Sequence, residues 1–310
     1  LSDLKKLYFN KFFSAIPILR PEVINSMSNS TNHPLQKARI IPVRIIAFLT
    51  IPFLFAACSQ NNVTEDDSPK LFFDSAGVRG SFGLFDNGQG HFTIYNLRRY
   101  RDSAYLPAST FKIVNSLIGI QTGIVKDDST VIPWNHVAIS RTECNQDMPM
   151  KQAFQLSCVN WYQELARRIG RDTMKKWIDS LHYGNRDISG PIDSFWLNNH
   201  LKITADEELG LVKKLYFDQL PFFQRTQKIV RGMMLMESNA NYQLSYKTGW
   251  GFKEDGHSIG WIVGWIEENK HPYFFELNLE SADPGIDMKE VRMSILKKIL
   301  RKMGFFEGKK

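Results

Sequence analysis

Pro107-Ala108-Ser109-Thr110-Phe111-Lys112 sets a hydroxyl three residues ahead of an amine. On a helix that spacing puts both side chains on one face, so the amine can reach the hydroxyl. Ser109 then sits at the helix N-terminus, where unpaired N–H groups and the dipole favour a developing negative charge. Nucleophile, base and part of an oxyanion site would come from one turn. The spacing alone is a weak signal, because Ser2–Lys5 and Ser294–Lys297 repeat it with no partners around them.

Lys247-Thr248-Gly249 strengthens it. It closes an alternating run that predicts a strand, and a strand edge can bind a substrate by backbone pairing while Lys247 supplies positive charge. Gly249 would let a backbone approach a ligand closely. S-x-x-K followed by K-T-G on a strand is the combination of penicillin-recognising serine enzymes. Between the two, Ser157-Cys158-Val159 stands where S-x-N would be expected, and no E-x-x-L-N segment supplies a carboxylate base. Ser129-Thr130-Val131 also fits S-x-V, but among turn-forming residues close behind Lys112, so Ser157 is preferred. Tyr183-Gly184-Asn185, Ser194-Phe195-Trp196-Leu197, the run from Gly260 to Trp265, and Arg292-Met293-Ser294-Ile295 follow in order. From about residue 72 to residue 306 the chain resembles a class D (oxacillinase-type) serine β-lactamase. The fold this implies is α+β, β-lactamase/transpeptidase-like.

With no carboxylate base at hand, Lys112 must itself accept the proton, which requires burial to depress its pKa. Phe111, Val159 and Trp196 are side chains that could line a dry pocket. The resemblance implies more. Lys112 takes up carbon dioxide as a carbamate that serves as base, and Trp196 holds a carbamate oxygen through its indole N–H. Ser157 passes the proton to the departing lactam nitrogen, and Arg292 pairs with the substrate carboxylate through its guanidinium fork. Thr248 and Gly249 lie against the substrate. The second oxyanion N–H, beside that of Ser109, belongs to Trp250, and Tyr183-Gly184-Asn185 shapes the pocket without a chemical step. Locally, a core aromatic for Trp196 and an N-cap for Ser157 remain the plain alternatives.

Outward from the motifs, alternating runs at 81–85 and 91–95 flank Asp86-Asn87-Gly88-Gln89-Gly90 and predict a hairpin. Strands are expected at 243–247, 258–265 and 273–279. A stretch from about 109 to 238 is mostly helical in period, including one helix over 153–169 stopped by Gly170. Met288, Val291, Ile295, Ile299 and Met303 form a closing amphipathic helix ended by Gly304. The pattern predicts an antiparallel sheet built from both ends of a domain over 71–310, with a helical subdomain inserted.

The 310 residues are 43% hydrophobic and 23% charged, which excludes collagen, coiled coil and wholesale disorder. The net charge of +7 is concentrated at the front: residues 1–57 carry seven Lys or Arg against Asp3 and Glu22, leaving +2 for the rest. A nucleic-acid partner is therefore not expected. Ile45 to Ala57 is an uncharged apolar run behind Lys37, Arg39 and Arg44, too short to span a bilayer and shaped like a secretory signal. It ends in Phe55-Ala56-Ala57-Cys58, which resembles a bacterial lipobox with Phe55 in the usual Leu place. Residues 1–26 are expected to be an overrun ahead of Met27, 27–57 a signal peptide, Cys58 the lipidated terminus and 58–70 a tether. The resulting location is periplasmic and membrane-anchored in a Gram-negative-type envelope. No metal-ligand cluster or nucleotide loop is seen, and Cys144 and Cys158 are expected as free thiols. The rivals are a penicillin-sensing domain that stays acylated, a peptidoglycan peptidase, and an envelope lipoprotein with a degenerate site. Sensors of this kind normally follow several membrane spans, and S-x-V in place of S-x-N disfavours the peptidase.

Overall fold

The computed structural model describes residues 62–310, so the expected overrun, signal peptide and lipidation at Cys58 lie outside the described residues. The strands are β1 (Val63–Glu65), β2 (Arg79–Asp86), β3 (His91–Tyr95), β4 (Ala104–Tyr105), β5 (Val131–Ile132), β6 (Met148–Pro149), β7 (Ile203–Thr204), β8 (Leu235–Ser238), β9 (Gln243–Phe252), β10 (Ser258–Glu268) and β11 (His271–Ser281). The helices are α1 (Lys70–Ser75), α2 (Leu97–Asp102), α3 (Lys112–Gln121), α4 (Met150–Leu156), α5 (Val159–Ile169), α6 (Arg171–Leu181), α7 (Ala205–Tyr216), α8 (Gln224–Met234) and α9 (Met288–Lys302).

Seven strands form one sheet in the order β1-β3-β2-β11-β10-β9-β8. The expected hairpin is present, with Asp86 Oδ1 accepting from the N–H of Gly88 at 2.8 Å and of Gln89 at 3.1 Å to hold the turn. The sheet is antiparallel except at one edge, where β1 runs parallel to β3. That pairing shortens the expected tether: Val63–Glu65 belong to the sheet, and α1 begins at Lys70.

Both faces of the sheet are covered, and β10 shows why. Ile259, Trp261, Val263 and Trp265 point into one apolar cluster, while Ile262 and Ile266 point into the other. A strand buried on both sides reads as a continuous apolar run, with each buried aliphatic worth roughly 1.5–3 kcal/mol. On one face α9 packs with α1, and Gly304 at φ +86° ends that helix as its sequence predicted. On the other lies the helical part, centred on α3, whose residues from Lys112 to Ile120 are all buried. The helical stretch is less separate than expected, since α7 lies directly against the sheet and 235–238 form its edge strand β8. The helix expected over 153–169 is two helices, α4 and α5. They are broken at Ser157, which takes φ +60° in the left-handed region.

Candidate active site

The serine turn is a single 3-10 turn, Ala108–Phe111, that runs straight into α3 at Lys112. In such a turn residues three apart eclipse each other, so the Lys112 side chain stands over Ser109, and its Nζ donates to Ser109 Oγ at 2.7 Å. The turn is held from three sides. Ala108 N–H donates to the Trp196 carbonyl at 3.1 Å, Trp261 Nε1 donates to the Leu106 carbonyl at 2.9 Å, and Thr110 Oγ1 donates to the Pro107 carbonyl at 2.8 Å. Ala108 itself sits at φ +49°, a strained value for a residue with a Cβ, directly ahead of the nucleophile candidate. Gly249 also serves the fold. A Cβ there would come within 2.8 Å of the Pro107 carbonyl oxygen, so its absence lets β9 press against the serine turn.

Lys112 is only 1% exposed. Burial, reinforced by the positive charge of Arg141, pushes its ammonium down from 10.5 to about 7. The dry wall is aromatic. Phe111 stacks on Trp196 with centroids 5.4 Å apart, Phe195 and Tyr183 meet Phe111 edge-on, and the Tyr162 ring lies 5.4 Å from Lys112 Nζ. Val159 is half-buried, while Tyr162 and Phe154 are fully buried, and Phe154 lies against Lys247. Trp196 is buried, and its Nε1 has no hydrogen-bond partner among the described residues. An orphaned donor of this kind costs about 1–3 kcal/mol unless something accepts from it.

The second pair comes from the sheet edge and the helix break. Lys247 Nζ donates to Ser157 Oγ at 3.0 Å and to the Thr248 carbonyl at 2.9 Å. Ser157 is therefore no N-cap: it closes α4 as a left-handed C-cap, and Cys158 takes the N-cap place of α5. Ser129, the other S-x-V serine, is exposed and bonded to Asp127. Burial pushes Lys247 well below 10.5, with the charges of Lys112, Arg292 and Arg141 adding to it. Arg292 comes from α9 and donates through Nη1 to the Gly249 carbonyl, and burial lowers it to about 10. Trp250, by contrast, is 44% exposed, its indole N–H 3.4 Å from Ser258 Oγ.

The cysteine expectation is overturned: Cys144 and Cys158 form a disulfide. The loop over 133–147 folds back onto the helix break, bringing the two Cα atoms to 5.6 Å, inside the range a disulfide spans. Spacing along the chain could not reveal that return. Sequence reasoning also missed Glu208, on α7. It is wholly buried, accepts from Thr110 Oγ1 and from Tyr183 Oη at 3.0 Å, and is raised to about 7 by burial. Tyr183 thus braces the serine turn through Glu208. In the sequence, Glu208 is one acid among Asp206, Glu207 and Glu208 at a helix start, indistinguishable from a dipole-compensating run. Asp255, His257 and Glu280 are the group that could hold a cation among the described residues, but Glu280 is already bound by Arg79, Arg99, Lys253 and His257.

Residues 69–301 match the family described as the penicillin binding protein transpeptidase domain. The chain is 40% identical over 216 residues to the β-lactamase OXA-48 of Klebsiella pneumoniae, covering 70% of this chain and 80% of that one. Its fold superposes with a TM-score of 0.72 and 36% identity on the class D β-lactamase YbXI from Nostoc, over 77% of this chain and 99% of the other. It also resembles the C-terminal domain of the Bacillus licheniformis BlaR penicillin-receptor, with a TM-score of 0.73 and 29% identity over 79% of this chain and 97% of the other. A serine and lysine on one turn, a second serine–lysine pair across the cleft, and relatives of this kind agree: the chain belongs to the class D β-lactamases of the penicillin-binding transpeptidase family.

Proposed function

We propose that this protein hydrolyses β-lactams through an acyl-enzyme on Ser109. The observation that carries the reading is the 2.7 Å contact between Ser109 Oγ and a lysine dry enough to be neutral near pH 7. Ser109 Oγ bonds to the lactam carbonyl carbon and gives its proton to the side chain at position 112. The N–H groups of Ser109 and Trp250 receive the charge that develops on the carbonyl oxygen. As the lactam C–N bond breaks, Ser157, held by Lys247, gives its proton to the nitrogen. Thr248 and Gly249 line the strand edge on which the substrate lies, and Arg292 receives its carboxylate. Water then adds to the acyl carbon, loses its proton to position 112, and Ser109 Oγ leaves with a proton restored. The sum is β-lactam plus water giving a β-amino acid.

The base is proposed to be a carbamate. A neutral amine can combine with carbon dioxide and release one proton, and the group so formed on Lys112 supplies a carboxylate-like base. The unpartnered Trp196 Nε1, stacked on Phe111 inside the same dry wall, supports this reading because it is a donor waiting for an acceptor. No metal is invoked. The protein is further proposed to act outside the cytoplasm as a lipoprotein tethered through Cys58. The Cys144–Cys158 disulfide supports an oxidising compartment.

Likeness to the BlaR receptor domain favours one second reading, a sensor that is acylated and stays so. A chromogenic cephalosporin separates them: continuing colour is expected, whereas a single equivalent per protein would mean a sensor. No acylation of Ser109 by a fluorescent penicillin would refute both.

A further inference from the structure

We infer that Arg141 sets substrate preference, its guanidinium receiving a second negative charge on the acyl side chain of a β-lactam, so that dianionic β-lactams are favoured over their singly charged counterparts. The inference rests on the β-lactam reading of the site and deepens it.

Arg141 precedes the one-turn helix Thr142–Cys144, in the loop that faces the helix break. Its Nη1 donates to the Leu156 carbonyl, one residue before Ser157, and Ser157 Oγ is the acceptor of Lys247 Nζ. The guanidinium therefore sits at the rim of the cleft, one residue from a group that touches the reacting nitrogen. The loop is clamped there twice more. The Cys144–Cys158 disulfide ties it to the residue after Ser157, and Asn160 Nδ2 donates to the Cys144 carbonyl at 3.0 Å. A rim residue held at its base in this way keeps its direction instead of sweeping through solvent.

Arg141 is exposed, and none of the ion pairs found among the described residues involves it. Only Nη1 has an acceptor there, which leaves most of its five donors facing outward. Its positive charge is felt by Lys112, Lys247 and Arg292 together, as expected of a cation close to all three. An exposed arginine whose charge opposes those of three buried cations, with Asp287 offsetting only Arg292, raises the free energy of the empty site. An anionic ligand would relieve that cost. Arg292 comes from α9 behind the sheet edge, whereas Arg141 comes from the helical side, so the two cations address different parts of a bound molecule. The ring carboxylate is assigned to Arg292. A guanidinium fork on the opposite flank suits a carboxylate or sulfonate on the acyl side chain.

Benzylpenicillin and carbenicillin differ by one carboxylate on the acyl side chain. The measurement is the second-order rate of Ser109 acylation by each, from competition with a fluorescent penicillin, for wild type, Arg141→Gln and Arg141→Lys. Reading acylation keeps the test valid whether or not the acyl-enzyme turns over. Taking the ratio of the two substrates cancels any effect of residue 141 on Lys112. The carbenicillin-to-benzylpenicillin ratio should fall roughly fivefold in Arg141→Gln, with Arg141→Lys between. Raising salt to about 0.5 M should lower the wild-type ratio and leave that of Arg141→Gln unmoved. A ratio that is the same in all three proteins would overturn the inference. Wild type acylated by neither penicillin would instead bring down the β-lactam reading itself, and this inference with it.

Discussion

Lys247 Nζ stands 3.0 Å from Ser157 Oγ although ninety residues separate them along the chain. One comes from β9 just past the end of its pairing with β8, and the other from a break between two helices, so only the folded chain brings them together. The lysine is buried and short of counter-charge, which makes it a poor proton sink and a good electrostatic brace for the hydroxyl.

Ser157→Ala removes that hydroxyl while leaving the left-handed corner as it is, since both residues carry a Cβ. Acylation of Ser109 should slow by about 10²-fold or more, the size of a lost general acid. The melting temperature should move little. A variant acylating at the parent rate would show that the proton reaches nitrogen by another route.

Lys112 governs the acid limb. With its ammonium at about 7, each pH unit below that should cut kcat/KM about tenfold. At pH 6, added bicarbonate should restore part of the loss, because it supplies the reactant that the neutral amine captures. Trp196→Phe keeps a ring against Phe111 but deletes the unpartnered Nε1. More bicarbonate should then be needed for half-maximal activity, and an unchanged bicarbonate curve would argue against a held carbamate.

Glu208 predicts a pH dependence of stability. Burial raises it from 4.5 to about 7, against the hydrogen bonds from Thr110 and Tyr183 that favour the anion. Between those values the folded protein keeps a proton that the unfolded chain releases, so stability declines as pH rises through that window. Glu208→Gln, permanently neutral, should gain on the order of 1–3 kcal/mol over wild type at pH 8 and nothing at pH 4. Urea melts at both pH values read this directly. A variant equally destabilised at both would mean that the carboxylate is needed as an anion.

Reduction of Cys144–Cys158 should cost about 3 kcal/mol or less, given the 14-residue separation it closes. The same reductant should leave the paired Cys144→Ser, Cys158→Ser protein unaffected. Because the bridge adjoins Ser157, the reduced enzyme should lose acylation rate as well as stability. A thermal shift without any rate change would confine the disulfide to a structural role.

Much of the fold was legible because its signals are local. The hairpin around Asp86-Asn87-Gly88, the apolar run of β10 and the stripe on α9 each need only their own neighbours, and the structure has them where their periods put them. The helix over 153–169 was misread for the same reason. Its apolar spacing continues across Ser157, and nothing nearby announces that the chain turns left-handed there to carry a side chain to Lys247.

The linear order of residues was enough to settle the family, the strand that bears Lys247, and the pairing of Ser109 with Lys112, since three-residue spacing on one turn is a matter of local geometry. The tertiary structure alone decided that Lys112 is dry, that Cys144 meets Cys158, that Glu208 braces the serine turn, and that Arg141 adds its charge to the cleft. Burial and long-range electrostatics are sums over every segment packed around an atom. No window of sequence contains those segments until the chain has folded them together.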